Sequence, residues 1–141
     1  MIKLVVSDID GTLLEDGGHD LNPELFEVIL KLRAAGMQFA AASGRQWASI
    51  EAVFEPVKEK IFYLSDNGAY VGMCGRNLFL NTIDRDLIHE MIQDIRAAGL
   101  TVLLSGPNQV YMDEDNPEFY RWMTEGYRFR VKQVEDLMQV E

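Results

Sequence analysis

Three short apolar runs, each breaking off into polar residues, constrain this chain more than any other feature. Ile2 to Ser7 is almost continuously apolar and ends at Asp8 and Asp10; Met37 to Ala42 ends at Ser43-Gly44-Arg45; Ile61 to Leu64 ends at Ser65-Asp66-Asn67-Gly68. Continuous apolar runs of this length read as strands buried on both faces, the pattern of a parallel sheet. The segments between them have helical ends and spacing. Asn22 is placed to cap a helix, with Pro23 in its first turn and Glu24 at the positive end of its dipole. Leu25, Ile29 and Leu32 form the apolar stripe, and Gly36 supplies the left-handed terminus. A second helix is expected over 46–54, before Pro56. Strands alternating with helices predict an α/β fold, a parallel sheet with helices on both faces. Ligands of such sheets bind beyond the carboxyl ends of the strands, and here all three ends put polar groups on that rim.

From Ala69 the pattern changes. Two apolar runs, 69–73 and 78–81, predict a β-hairpin turning at Gly75-Arg76-Asn77. A helix over 84–98 closed by Gly99 follows, then strands over 101–104 and 109–112 joined at Gly106-Pro107-Asn108. Asp113 to Asn116 reads as a solvated turn, and 118–125 as a helix capped by Asn116 with Pro117 at its start. A domain boundary is expected near Thr82, giving 1–82 as a first domain and 83–141 as a second. LRAAGMQFA and IRAAGLTVL are alike as helix–glycine–strand junctions, not as a repeat.

Charge and cysteine content narrow the function. A formal net charge of -10 argues against nucleic acid or an anionic membrane as partner. It also means that a phosphorylated substrate needs a metal ion or local donors to approach. The single cysteine, Cys74, fits a buried structural thiol in a reducing cytoplasm. Met1 to Val6 is too short for the apolar core of a signal peptide, and no run approaches the roughly 20 residues of a membrane span. A cytoplasmic location is expected. His19 and His89 stand apart, without the neighbours of a metal site, and Trp47 and Trp122 read as packing residues.

Two carboxylates one residue apart at a strand end repel each other, so they need a reason. A calcium loop starting at Asp8 requires glycine and glutamate where Leu13 and His19 stand. An acidic phosphoacceptor pocket, with Asp66 as acceptor, leaves Thr12 unexplained. Phosphoryl transfer through an aspartyl phosphate accounts for more: one carboxylate attacks phosphorus, the other moves the proton, and magnesium suppresses their repulsion. Asp8 at the strand tip is then the nucleophile and Asp10, beyond it, the acid/base. Loop N–H groups around Gly11, with Thr12, would cradle the phosphate, and Ser43 would supply a hydroxyl to a phosphoryl oxygen.

DIDGTLL at 8–14, ASGR at 42–45 and DNGA at 66–69 together resemble the haloacid-dehalogenase-like hydrolases. The closest likeness is to the Cof-type, type IIB sugar-phosphatase branch, whose α/β cap follows the third strand. The resemblance implies a Rossmann-like core with the first part of that cap, and magnesium-dependent hydrolysis of a small phosphomonoester such as a sugar phosphate. It makes Asp8 the nucleophile and a metal ligand, Asp10 the acid/base that also binds magnesium through its backbone carbonyl, and Ser43 the phosphate-binding hydroxyl beside Gly44 and Arg45. The family's later lysine and its Gly-Asp-x-x-Asn-Asp motif have no counterpart in these 141 residues. The chain therefore resembles the first half of such an enzyme and is expected to act weakly by itself, or to serve as a non-catalytic binding fragment. In the resembled fold the first strand is central, so here its free edge is expected to invite self-association.

Overall fold

The structure, a computed structural model, describes residues 2–15, 20–106 and 109–140. His19, Pro107 and Asn108 lie outside the described residues, and with them the expected turn between the strands on either side. The chain divides into two compact units, Met1–Leu80 and Asn81–Glu141.

The first unit is a five-stranded sheet in the order β1 (Leu4–Asp8), β2 (Gln38–Ala42), β3 (Phe62–Ser65), β4 (Tyr70–Met73), β5 (Arg76–Leu80). β1, β2 and β3 run parallel, with Val6 opposite Ala40 and Ala40 opposite Phe62; β4 and β5 are antiparallel additions. Two helices connect the parallel strands, α1 (Pro23–Ala34) and α2 (Trp47–Val53). The Asn22 side chain accepts the Glu24 N–H at 3.0 Å, and Gly36 takes a positive φ of 79° where the chain leaves α1. Ile29 of α1 and Ile50 of α2 join Ile9, Phe39, Phe54 and Tyr63 in one buried core.

Three expectations are corrected here. β1 is not covered on both faces: Leu4 and Val6, which share one face, are each 50% exposed, while Val5 on the other is partly buried. The free edge expected of β1 is present among the described residues, while its apolar sequence does not say which face a neighbour will cover. The hairpin turns at Cys74-Gly75, with Met73 opposite Arg76, so Arg76 and Asn77 belong to β5. Gly75, at φ 71°, takes the left-handed position of this two-residue turn. Cys74 is half-buried rather than buried, and its thiol is pushed up, first by desolvation and then by the neighbouring Glu51.

The second unit packs α3 (Arg85–Ala97) against a three-stranded sheet, β6 (Leu104–Ser105), β7 (Val110–Asp113) and β8 (Val131–Val134). Asp84 caps α3, accepting the Asp86 N–H at 3.0 Å. Ile92 meets Val102 and Leu137 in the core. The expected strand over 101–104 shrinks to two residues, and β8 was not foreseen: it lies parallel to β7 after a crossover through α4 (Pro117–Arg121). The Asn116 side chain caps α4, accepting from the Phe119 N–H at 3.0 Å. The helix then widens into a π turn over Trp122–Gly126. Asp113 is no solvated turn residue. It ends β7 and is held by Arg96 at 2.7 Å, and it also accepts the Leu137 N–H. Arg96 reaches Asp136 as well, at 3.0 Å, so one guanidinium ties α3, β7 and the chain after β8. No helix among the described residues is long and apolar enough to cross a membrane.

Candidate active site

The loop after β1 is wound around one buried side chain. Ile9 is fully buried, and its carbonyl accepts the N–H groups of Thr12, Leu13 and Leu14. Gly11, at φ 74°, makes the sharp turn and donates to the Leu14 carbonyl at 2.8 Å. Side chains alternate along extended backbone, so anchoring Ile9 inward turns Asp8 and Asp10 outward together. The N–H groups of Gly11, Thr12, Leu13 and Leu14 are used within the loop, so the backbone cradle expected there is already occupied by it. The Thr12 hydroxyl remains, and it donates to the Asp8 carboxylate at 3.2 Å.

β2 delivers the second group. Ala42 lies opposite Asp8, and Ser43 follows at the rim, its N–H bonded to the Leu64 carbonyl. The Ser43 hydroxyl donates to Asp10 Oδ2 at 3.2 Å and accepts the Arg45 N–H at 3.1 Å. Arg45 then closes a fork on the same carboxylate. Its Nε lies 3.1 and 3.0 Å from the two Asp10 oxygens, and its terminal nitrogen 2.7 Å from Oδ1. The Arg45 side chain is 2% exposed and the Asp10 side chain 30%. A forked guanidinium contact is the strong form of a charge-assisted hydrogen bond. The hydrogen bonds from Arg45 hold the Asp10 carboxyl below the ordinary carboxylate range; burial opposes them, and the charge of Arg45 and the bond from Ser43 add to the lowering. Asp10 is therefore ionised at neutral pH, with both oxygens engaged, while Asp8 stays exposed at the strand tip.

β3 contributes a strained turn. Asp66, Asn67 and Gly68 take φ of 49°, 54° and 90° in succession. The left-handed conformation costs an L residue about 1–2 kcal/mol and is usually visited by one residue at a time, most readily by Asn, Asp or Gly. The turn is bound to its neighbour: the Asp66 N–H donates to the Arg45 carbonyl at 3.1 Å and the Asn67 N–H to the Ser43 carbonyl at 3.3 Å. The Asn67 carboxamide lies against Gly44, where a Cβ would sit 3.0 Å from its Oδ1. A side chain at position 44 would thus need the Asn67 carboxamide to give by a few tenths of an ångström. The signal for this contact was the DNGA string, whose Asn and Gly both tolerate the left-handed region.

The seven residues singled out from the sequence thus lie on the β1 loop and at the end of β2. Asp10, Ser43 and Arg45 form one hydrogen-bonded set, and Thr12 joins Asp8. For a divalent ion, the exposed Asp8 carboxylate is the open acidic oxygen donor among these seven residues. Hard oxygen donors are the set magnesium prefers, and the ion commonly keeps several waters. No cluster of three or more His, Cys, Asp or Glu side chains suited to a metal occurs among the described residues.

Comparison with known proteins gives a consistent result. The sequence pattern of the haloacid dehalogenase-like hydrolases matches residues 5–140. An Escherichia coli 5-amino-6-(5-phospho-D-ribitylamino)uracil phosphatase is 23% identical over 141 residues, which are 99% of this chain and 52% of that protein. A solved structure from Eubacterium rectale superposes with a TM-score of 0.87 at 29% identity, over 99% of this chain and 54% of the other. A subclass IIB sugar phosphatase shares the fold with a TM-score of 0.77 at 21% identity, over 94% of this chain and 52% of its own. The chain spans about half the length of these relatives.

Proposed function

The chain belongs to the haloacid dehalogenase-like hydrolase family, and from that premise we propose that its site hydrolyses a small phosphomonoester through an aspartyl phosphate on Asp8. The observation that carries this reading is the different treatment of two neighbouring carboxylates. Asp8 is exposed and lightly held by Thr12, whereas Asp10 is clamped by Ser43 and Arg45. Two acids whose surroundings differ in this way can take different roles.

In the first step an Asp8 oxygen attacks phosphorus and the P–O ester bond breaks. The leaving oxygen takes a proton from Asp10. In the second, water loses a proton to the Asp10 carboxylate and attacks phosphorus, and the P–O bond to Asp8 breaks to release inorganic phosphate. The Arg45 clamp keeps Asp10 ionised in the resting site, so Asp10 gains its proton as the anionic phosphoryl group enters, since a nearby negative charge raises a carboxyl pKa. Ser43, Gly44 and Thr12 line the phosphoryl position, and Arg45 acts chiefly by orienting Asp10. Magnesium held by Asp8 and the Asp10 carbonyl would supply positive charge against the phosphoryl oxygens.

The substrate class we propose is a phosphorylated sugar or sugar alcohol. The Escherichia coli relative is named for a phosphoribityl compound and a structural neighbour for a sugar phosphate. The test is hydrolysis of 4-nitrophenyl phosphate with magnesium, followed by acid quenching and mass measurement of peptides. Phosphate should appear on the peptide carrying Asp8, and Asp8→Asn should abolish both signal and turnover. Turnover that persists in Asp8→Asn would show that another group attacks phosphorus. A second reading, binding without turnover, is favoured by the small number of acidic donors that the described residues bring together. It predicts magnesium-dependent ligand binding and no phosphorylated peptide.

A further inference from the structure

The three-residue left-handed turn after β3 is the most strained backbone described, and two of its backbone bonds lead to one place. Its N–H groups at Asp66 and Asn67 end on the carbonyls of Arg45 and Ser43, and its Asn67 carboxamide rests on Gly44. Ser65, just before it, is fully buried, and its hydroxyl has no hydrogen-bond partner among the described residues. Strain of this kind persists where the surroundings over-determine it, and it collects at functional sites. Here the surroundings are the turn that holds Asp10: Ser43 and Arg45 carry the donors, and Gly44 between them has no side chain to fix its place. The Asn67 carboxamide occupies the space in which a residue-44 side chain would lie.

We infer that Asn67 is a positioning residue for the acid/base Asp10, acting through Gly44 to set the Ser43–Arg45 turn; the catalytic part of this inference rests on the phosphatase reading above. The contact is mechanical. With the carboxamide in place, the backbone of 43–45 has one arrangement in which the Ser43 hydroxyl and the Arg45 fork meet Asp10 together. Without it, the two left-handed backbone bonds remain, but the turn can shift toward the vacated space.

The test uses the 141-residue chain and reads the clamp directly, as hydrogen exchange at the Arg45 Nε–H followed by nitrogen-15 NMR. Asn67→Gly removes the carboxamide and suits the positive φ, so its thermal midpoint should change little. Exchange at Arg45 should quicken on the order of tenfold, as a local opening. kcat for 4-nitrophenyl phosphate should fall roughly ten- to a hundredfold with KM nearly unchanged, the effect of misplaced catalytic groups. In the double variant Gly44→Ala/Asn67→Gly, the new methyl fills the vacated space and should restore slow exchange. Unchanged exchange in Asn67→Gly overturns the inference, whatever happens to turnover. So does a loss of thermal midpoint that accounts for the faster exchange, because the turn would then merely stabilise the fold. Absence of turnover in every variant, the parent included, favours binding without turnover for this chain and leaves the exchange result to decide this inference.

Discussion

Two arginine–aspartate clamps, one in each unit, use the same chemistry for different ends. In the first unit Arg45 is 2% exposed and forks onto Asp10, which is 30% exposed. In the second, Arg96 is 36% exposed and forks onto Asp113, 18% exposed, while also holding Asp136. The first pair buries its cation and leaves its acid part-exposed; the second leaves its cation and Asp136 each 36% exposed, with Asp113 partly covered between them. An open, oriented carboxylate can meet a ligand. Asp113, which also accepts the Leu137 N–H, holds α3 and the chain after β8 to β7. Burial of the cation separates the two clamps: Arg45 is 2% exposed and Arg96 36%.

The largest expected effect comes from Asp10→Ala. It leaves a buried guanidinium without its carboxylate, and breaking a buried pair in this way costs about 3–5 kcal/mol. Urea unfolding should show the loss, together with loss of any turnover. Arg45→Ala should cost less stability, because Asp10 can reach water, yet it should still lower kcat by roughly 10²–10⁴ if Asp10 moves the proton. If both variants were equally unstable, the asymmetry drawn here would fail.

Arg96→Ala tests the other side of the comparison. It should destabilise the chain by about 1 kcal/mol, the upper range for exposed ion pairs, and leave turnover of 4-nitrophenyl phosphate at the parent value. Its effect should shrink in high salt, whereas that of Arg45→Ala should not, since screening reaches exposed charges most. A large kcat change in Arg96→Ala would mean that the second clamp also serves the reaction.

The smallest effect is on acid stability. Asp10 is lowered chiefly by hydrogen bonds from Arg45, and Asp136 chiefly by the Met138 N–H and then by Arg96. A carboxyl lowered in the folded state binds its proton less readily there than in the unfolded chain. Its stabilising contribution is therefore complete above the ordinary aspartate range and is lost as pH falls through the lowered folded value. Thermal midpoints measured from neutral pH downward should drop in the parent below the ordinary range, and less steeply in Arg45→Ala. An unchanged slope in that variant would mean that other carboxylates dominate acid unfolding.

Much of this molecule follows from interactions within a few residues, and those are legible in sequence. Asn22, Asp84 and Asn116 cap helices because a short polar side chain reaches an N–H two or three residues on. Apolar runs marked β1, β2 and β3 to within a residue or two, and strand–helix alternation implied their parallel pairing. The i, i+2 spacing of Asp8 and Asp10 set them on one side of the backbone, with Ile9 turned inward.

What the tertiary structure alone decided depends on partners far apart in the chain. Arg45 and Asp10 are 35 positions apart, and Arg96 and Asp136 are 40 apart; no local pattern states which arginine will find which aspartate. β8 reads as an ordinary mixed segment until β7 offers it an edge. Leu4 and Val6 have the sequence of a strand covered on both faces yet are half exposed, because burial belongs to the neighbours and not to the residue. The left-handed turn at Asp66–Gly68 could be suspected from Asn and Gly, but only its bonds to Ser43 and Arg45 make the strain tolerable. Local propensity selects elements at a cost of tenths to a few kcal/mol each. Pairing, burial and strain are settled by register and packing, which exist only once the elements have met.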